Sequence, residues 1–91
     1  MAIATRTVTV ASTSGLHARP AALFVQAAKA CGCKVTAQKG DGKPANAASV
    51  LGVMALGAKF GDEILLTAEG DNPEEALDQI AAVVETNQDS A

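Results

Sequence analysis

Tryptophan and tyrosine are absent from this 91-residue chain, and phenylalanine occurs only at Phe24 and Phe60. Single-stranded nucleic acids stack their bases on aromatic side chains, so such a ligand would find almost no platform here. A core without aromatic bulk must be assembled from alanine, valine, isoleucine and leucine. A basic surplus is missing as well. Seven Lys and Arg against ten Asp and Glu give a formal charge of -3, the reverse of a nucleic-acid footprint. No apolar run is long enough to cross a bilayer. No cationic start followed by an apolar stretch is present, so no signal peptide is expected. The expectation is a soluble cytoplasmic protein without membrane insertion. Cysteine is confined to Cys31 and Cys33, and histidine to His17. Two thiols and one distant imidazole fall short of a four-ligand zinc site. They read as free thiols in a reducing compartment, and neither a metal nor a cofactor is expected.

What is there suits one small domain, read as residues 1–88 with a polar tail at 89–91. A chain of this size buries roughly 60–65% of its unfolded surface, a thin but viable core. Arg6 to Val10 alternates as a half-buried strand with Val8 and Val10 inward. Ile3 falls out of phase with those valines, which leaves its direction open. Ser12 to Gly15 is a polar turn. Ala18 to Ala30 reads as a helix, with Phe24, Ala28 and Cys31 on one stripe and Leu23, Ala27 and Ala30 beside it. Pro20 is tolerated in the first turn, where its missing N–H has no intrahelical partner. Lys34 to Lys39 is a strand with Val35 and Ala37 inward. Gly40-Asp41-Gly42 turns the chain into a short return strand, Lys43 to Asn46, whose Pro44 suits a sheet edge. Ser49 reads as the N-cap of a short helix, Val50 to Leu56, closed by Gly57. Glu63 to Glu69 is a strand with Ile64, Leu66 and Ala68 on one face. Asn72, Pro73 and Glu75 read as N-cap, first-turn proline and capping-box acid. Ala76, Leu77, Ile80, Val83 and Val84 form the inward stripe of the last helix. From Asn87 the chain is polar and expected to fray.

The element order is therefore strand, helix, strand, strand, helix, strand, helix, an α+β arrangement. Three helices with one apolar stripe each cover one face of the sheet. The other face stays wet, lined by Thr7, Thr9, Thr36, Gln38, Glu63 and Thr67.

His17-Ala18-Arg19-Pro20 carries the chemistry. His17 precedes the start of a helix, where unpaired N–H groups and the positive end of the macrodipole favour anions. The same field disfavours imidazolium, so His17 should titrate below its usual value of about 6.5 and stay nucleophilic near neutrality. Arg19 offers a planar fork matched to phosphate oxygens. Against this stands the plain alternative of a capping or surface histidine, and on these four residues alone that alternative is the stronger.

Gly15-Leu16-His17-Ala18-Arg19-Pro20-Ala21 resembles the active-site segment of the HPr family, the histidine-containing phosphocarriers of the bacterial sugar phosphotransferase system. Asn46 to Gly57 resembles the family's serine segment and short helix, and Ala68-Glu69-Gly70 the end of its last strand. The resemblance spans nearly the whole chain. It implies an open-faced two-layer sandwich, with a four-stranded antiparallel sheet in order 1-4-2-3 and the helices on one face. It implies a carrier and not an enzyme. Enzyme I, charged by phosphoenolpyruvate, passes a phosphoryl group to Nδ1 of His17, which then passes it to enzyme IIA domains for sugar uptake. Arg19 and the backbone N–H groups of Ala18 and Arg19 would hold the phosphoryl oxygens. Ser49 matches the serine that HPr kinase/phosphorylase modifies in some bacterial groups; its other reading is a helix cap that is never modified.

Partner docking, from the same resemblance, falls on Ala22, Phe24, Val50, Leu51 and Met54. Apolar residues at helical spacing are more often core than interface, and Phe24 is the member of the set most suited to the interior. Few cations lie near this surface (Arg19, Lys29, Lys59), fewer than in many relatives. The alternative function is a regulatory protein of the same fold in a non-sugar phosphorelay, acting mainly by binding partners. A small enzyme using His17 as general base fares poorly, because no triad order surrounds it and so small a domain has little room for a deep pocket.

Overall fold

The computed structural model describes residues 2–13, 15–16 and 18–86, with the side chain of Ala18 excepted. Seven elements follow in chain order: β1 (Ala2–Thr9), α1 (Ala18–Ala30), β2 (Lys34–Lys39), β3 (Ala45–Asn46), α2 (Val50–Ala55), β4 (Glu63–Gly70) and α3 (Pro73–Val84). The strands form one antiparallel sheet in the order β1-β4-β2-β3. Helix α3 lies over β1 and β4, α1 packs against α3 and α2, and α2 sits beside β3. This is the open-faced sandwich.

The alternation of β-branched residues places the core. Val8, Val10, Val35, Ala37, Ile64, Leu66 and Ala68 are all buried. Phe24, Leu77 and Ile80 meet them from the helices and are fully buried too. On the other face the register aligns Thr5, Thr67 and Thr36 across three strands, with Asn46 opposite Thr36. Thr7, Leu65 and Gln38 form the next row. Thr7, Thr9 and Glu63 are exposed, and Thr36, Gln38 and Thr67 half-buried. Ile3, opposite Glu69, belongs to this open face and is 65% exposed. A period of two leaves no other place for a residue out of phase with Val8.

Several expectations shift. The return strand is two residues long, not four, and Pro44 lies outside it. A residue without an N–H cannot extend the ladder. Helix α2 ends at Ala55, with Leu56 as its C-cap and Gly57 at φ +65 donating to the Met54 carbonyl at 3.1 Å. Asn72 is the N-cap of α3 but adopts the left-handed conformation, φ 55 and ψ 52, and makes no side-chain cap bond. Asparagine tolerates that region, so its backbone geometry enters the helix without its amide. Along α3 the buried row is Pro73, Ala76, Leu77, Ile80, Ala81 and Val84. Val83 is half-buried, one position to the side of that stripe, and Ala81 takes its place. In α1, Val25 is buried and Ala30 exposed. The tail from Asn87 lies outside the described residues.

Candidate functional site

The approach to α1 is fixed by backbone contacts. Gly15 is buried at φ +78, and its N–H donates to the Ser12 carbonyl at 2.9 Å. A Cβ at this position would lie 2.5 Å from the Ala58 carbonyl oxygen and 3.0 Å from the Lys59 Cα. Two stretches of main chain are in direct contact here, which only a glycine allows. Leu16, also buried, donates its N–H to the same Ala58 carbonyl at 3.0 Å.

The 57–62 loop that receives these contacts is anchored in turn. Val10 donates to the Asp62 carbonyl and Gly61 donates to the Val10 carbonyl, both at 2.9 Å. The Asp62 carboxylate accepts from the Lys59 N–H at 2.9 Å and pairs with Lys39 Nζ at 3.1 Å. Lys39 Nζ also donates to the Gly57 carbonyl at 3.1 Å. The Lys59 N–H, and after it the Lys39 ammonium, hold the Asp62 carboxyl below the usual aspartate range.

Past Leu16, helix α1 begins at Ala18. Pro20 and Ala21 are buried beneath its first turn, whereas Arg19 is exposed. The first turn carries no acidic residue, and Lys29 lies in the last turn. The helix start therefore keeps its positive field, and the far end is complemented by a cation. His17, the residue on which the chemistry rests, lies outside the described residues. The backbone of Ala18 is the first of the helix, and Arg19 presents its side chain to solvent from the second position.

Ser49 is half-buried at the head of α2. Its Oγ accepts from the Gly52 N–H at 3.1 Å, and its carbonyl accepts from Val53 at 2.9 Å. Asn46 Oδ1 accepts from the Ala48 N–H at 2.9 Å and shapes the turn into the cap. Val53 is the buried anchor of the helix. The outward side is apolar: Leu51 is 81% exposed, Met54 39% and Val50 37%.

The docking set thus divides. Val50, Leu51 and Met54 are open to solvent, and Ala22 is half-buried. Phe24 has no exposed surface and belongs to the core. It is removed from the candidate contact set, because a side chain enclosed by the sheet and helices has nothing to offer a partner. What sequence reasoning missed is the 57–62 loop. A glycine two residues before the histidine was visible, but nothing local linked it to Ala58.

The antiparallel sheet in this order with its helices on one face defines a small α+β open-faced sandwich, whose first helix starts without an acid and with an exposed arginine. Residues 4–86 match the family described as PTS HPr component phosphorylation site. The chain is 50% identical over 82 residues to the phosphocarrier protein HPr of Streptomyces coelicolor, covering 90% of this chain and 88% of that one. It is 47% identical over 72 residues to the HPr-like protein Crh of Bacillus subtilis, covering 79% and 84%. The crystal structure of a phosphocarrier protein HPr from Bacillus anthracis superposes with a TM-score of 0.84 at 44% identity, over 92% of this chain and 99% of that one. The chain belongs to the HPr family of phosphotransferase-system phosphocarriers.

Proposed function

We propose that His17 accepts a phosphoryl group from phosphoenolpyruvate-charged enzyme I and delivers it to enzyme IIA domains during sugar uptake, in the cytoplasm. The observation that carries this reading is the pinning of the chain on both sides of position 17. Leu16 is tied to Ala58, and α1 starts at Ala18 with Pro20 and Ala21 buried beneath it. A nucleophile between two fixed points loses little entropy on transfer. In this reading the N–H groups of Ala18 and Arg19 and the Arg19 guanidinium receive the phosphoryl oxygens. Helix-terminus stabilisation of about 0.3–1 kcal/mol at an exposed site holds the group without trapping it. Val50, Leu51 and Met54, with Ala22 at their margin, form the apolar centre that successive partners cover.

Ser49 is a helix cap in any case. Phosphorylation there by HPr kinase/phosphorylase would set a dianion beside this docking surface and weaken its meeting with enzyme I. The alternative reading is a regulatory protein of the same fold in a non-sugar phosphorelay, acting mainly by binding partners.

Incubation with enzyme I and labelled phosphoenolpyruvate separates the two. The first reading expects one acid-labile, alkali-stable phosphoryl group, lost in His17→Ala and acquired more slowly in Arg19→Ala. If His17→Ala takes up label as the parent does, the assignment to His17 is wrong.

A further inference from the structure

Cys31, Gly32 and Cys33 join the end of α1 to the start of β2, at the opposite end of a 13-residue helix from Arg19. At about 1.5 Å per residue that is roughly 20 Å away. Both thiols are free and half-buried. The Cys31 thiol donates to the Ala28 carbonyl at 3.0 Å, one of the last-turn carbonyls left without an intrahelical partner. The Cys33 N–H donates to Cys31 Sγ at 3.4 Å, and the Cys31 thiol also lies 3.8 Å from the Cys33 carbonyl oxygen. The Cys33 thiol donates to the Asp71 carbonyl at 3.1 Å, in the turn between β4 and α3.

The backbone favours this approach. Gly32 stands at φ +76, and a Cβ there would meet nothing within 4 Å. Residues two apart are at most about 7 Å from Cα to Cα, and a left-handed residue between them brings them nearer. A disulfide needs Cα atoms roughly 4.4–6.8 Å apart.

We propose that Cys31 and Cys33 form a reversible dithiol–disulfide site, closed within the chain by exchange with a low-molecular-weight disulfide. In the first step one cysteine thiolate attacks the small disulfide, making a mixed disulfide and releasing one small thiolate. In the second step the other cysteine attacks the protein-side sulfur and releases the second. One S–S bond breaks and one forms overall. The two cysteines are oxidised, the small disulfide is reduced to two thiols, and the two protons leave with those thiols. Partial desolvation, and then the neighbouring Cys31, push the Cys33 thiol above its usual range. This direction fits first attack by Cys31, whose Sγ the Cys33 N–H faces, and ring closure by Cys33.

Oxidation removes both S–H donors. The Ala28 and Asp71 carbonyls lose these partners together, so closure at one tripeptide is felt at the end of α1 and at the entry to α3.

The test treats the folded, reduced protein with glutathione disulfide, quenches with acid and measures intact mass. The expected product is lighter by two hydrogens, retains no reactive thiol, is monomeric and forms independently of protein concentration once the mixed disulfide exists. Cys33→Ser should stop at a single glutathione adduct. Amide resonances of Ala28, Asp71 and Asn72 should move on oxidation, and those of Arg19 and Ser49 should stay. A stable glutathione adduct on the parent protein, a disulfide between two chains, or thiols that survive treatment would each overturn the proposal.

Discussion

Replacing Gly15 by alanine tests the backbone contact that fixes the approach to α1. Two costs are separable. At φ +78 any L side chain pays about 1–2 kcal/mol for the left-handed conformation. The added Cβ would also stand 2.5 Å from the Ala58 oxygen and 3.0 Å from the Lys59 Cα. Both are main-chain atoms, so no rotamer change relieves the clash and the loop must move. That movement breaks the Leu16 N–H to Ala58 bond, a further loss of about 0.5–1.5 kcal/mol. The sum is about 1.5–3.5 kcal/mol, a large part of the roughly 5–14 kcal/mol available to a domain of this size. Urea unfolding followed by far-UV circular dichroism is the assay, since the chain has no tryptophan or tyrosine for fluorescence. With a slope near ~1–1.5 kcal/mol/M, the midpoint should fall by about 1–3.5 M. Gly57→Ala is the control: φ is +65, but nothing lies within 4 Å of its added Cβ, so only the conformational cost of about 1–2 kcal/mol applies. Equal losses in the two variants would refute the claim that the backbone contact at Ala58 positions this segment.

Removing the Ser49 hydroxyl, as in Ser49→Ala, should cost about 0.5–2 kcal/mol by losing the bond to the Gly52 N–H, and denaturant unfolding reads it. Phe24→Ala, which empties a fully enclosed position, should cost about 3–5 kcal/mol in the same assay. Asp62 titrates lower in the folded chain than its usual 3.8, so its stabilising contribution is complete above that pH and is lost as pH falls through the folded value. Unfolding midpoints of the parent should accordingly drop more steeply below about pH 4 than those of Asp62→Asn. Leu51→Asp changes a residue that is 81% exposed; it should leave the unfolding free energy within about 0.5 kcal/mol of the parent while slowing phosphoryl uptake from enzyme I.

Much of this architecture was legible because it is local. The bounds of α1 follow from periodicity and a first-turn proline, and the inward rows of β2 and β4 from strict alternation. The misreadings arose where a neighbour outside the segment decides. Which of Ala81 and Val83 is buried depends on how α3 is rotated over β1 and β4, and helical spacing alone admits both. The return strand is shorter than its composition suggested because pairing begins after Pro44. Asn72 turned out to cap α3 through its own backbone dihedrals, a property of the turn from Gly70 and not of the motif. At the site, the residue types were plain in one heptapeptide. The contact of Gly15 with Ala58 joins positions more than forty apart and leaves no periodic trace. Phe24 sat within an attractive motif, yet its bulk made it the largest side chain of the interior.

The pairing of β1 has a bearing on how the chain is made. Its sheet neighbour is β4, more than fifty residues further on at every position of the register. During synthesis β1 emerges before β4 and waits, its ladder groups unsatisfied, until β4 has left the ribosome. Long-range pairings of this kind slow folding relative to chains built from local contacts. The newborn chain is thus committed to its final form only once β4 is available, and the interval before that is when a chaperone or a second nascent copy would meet it.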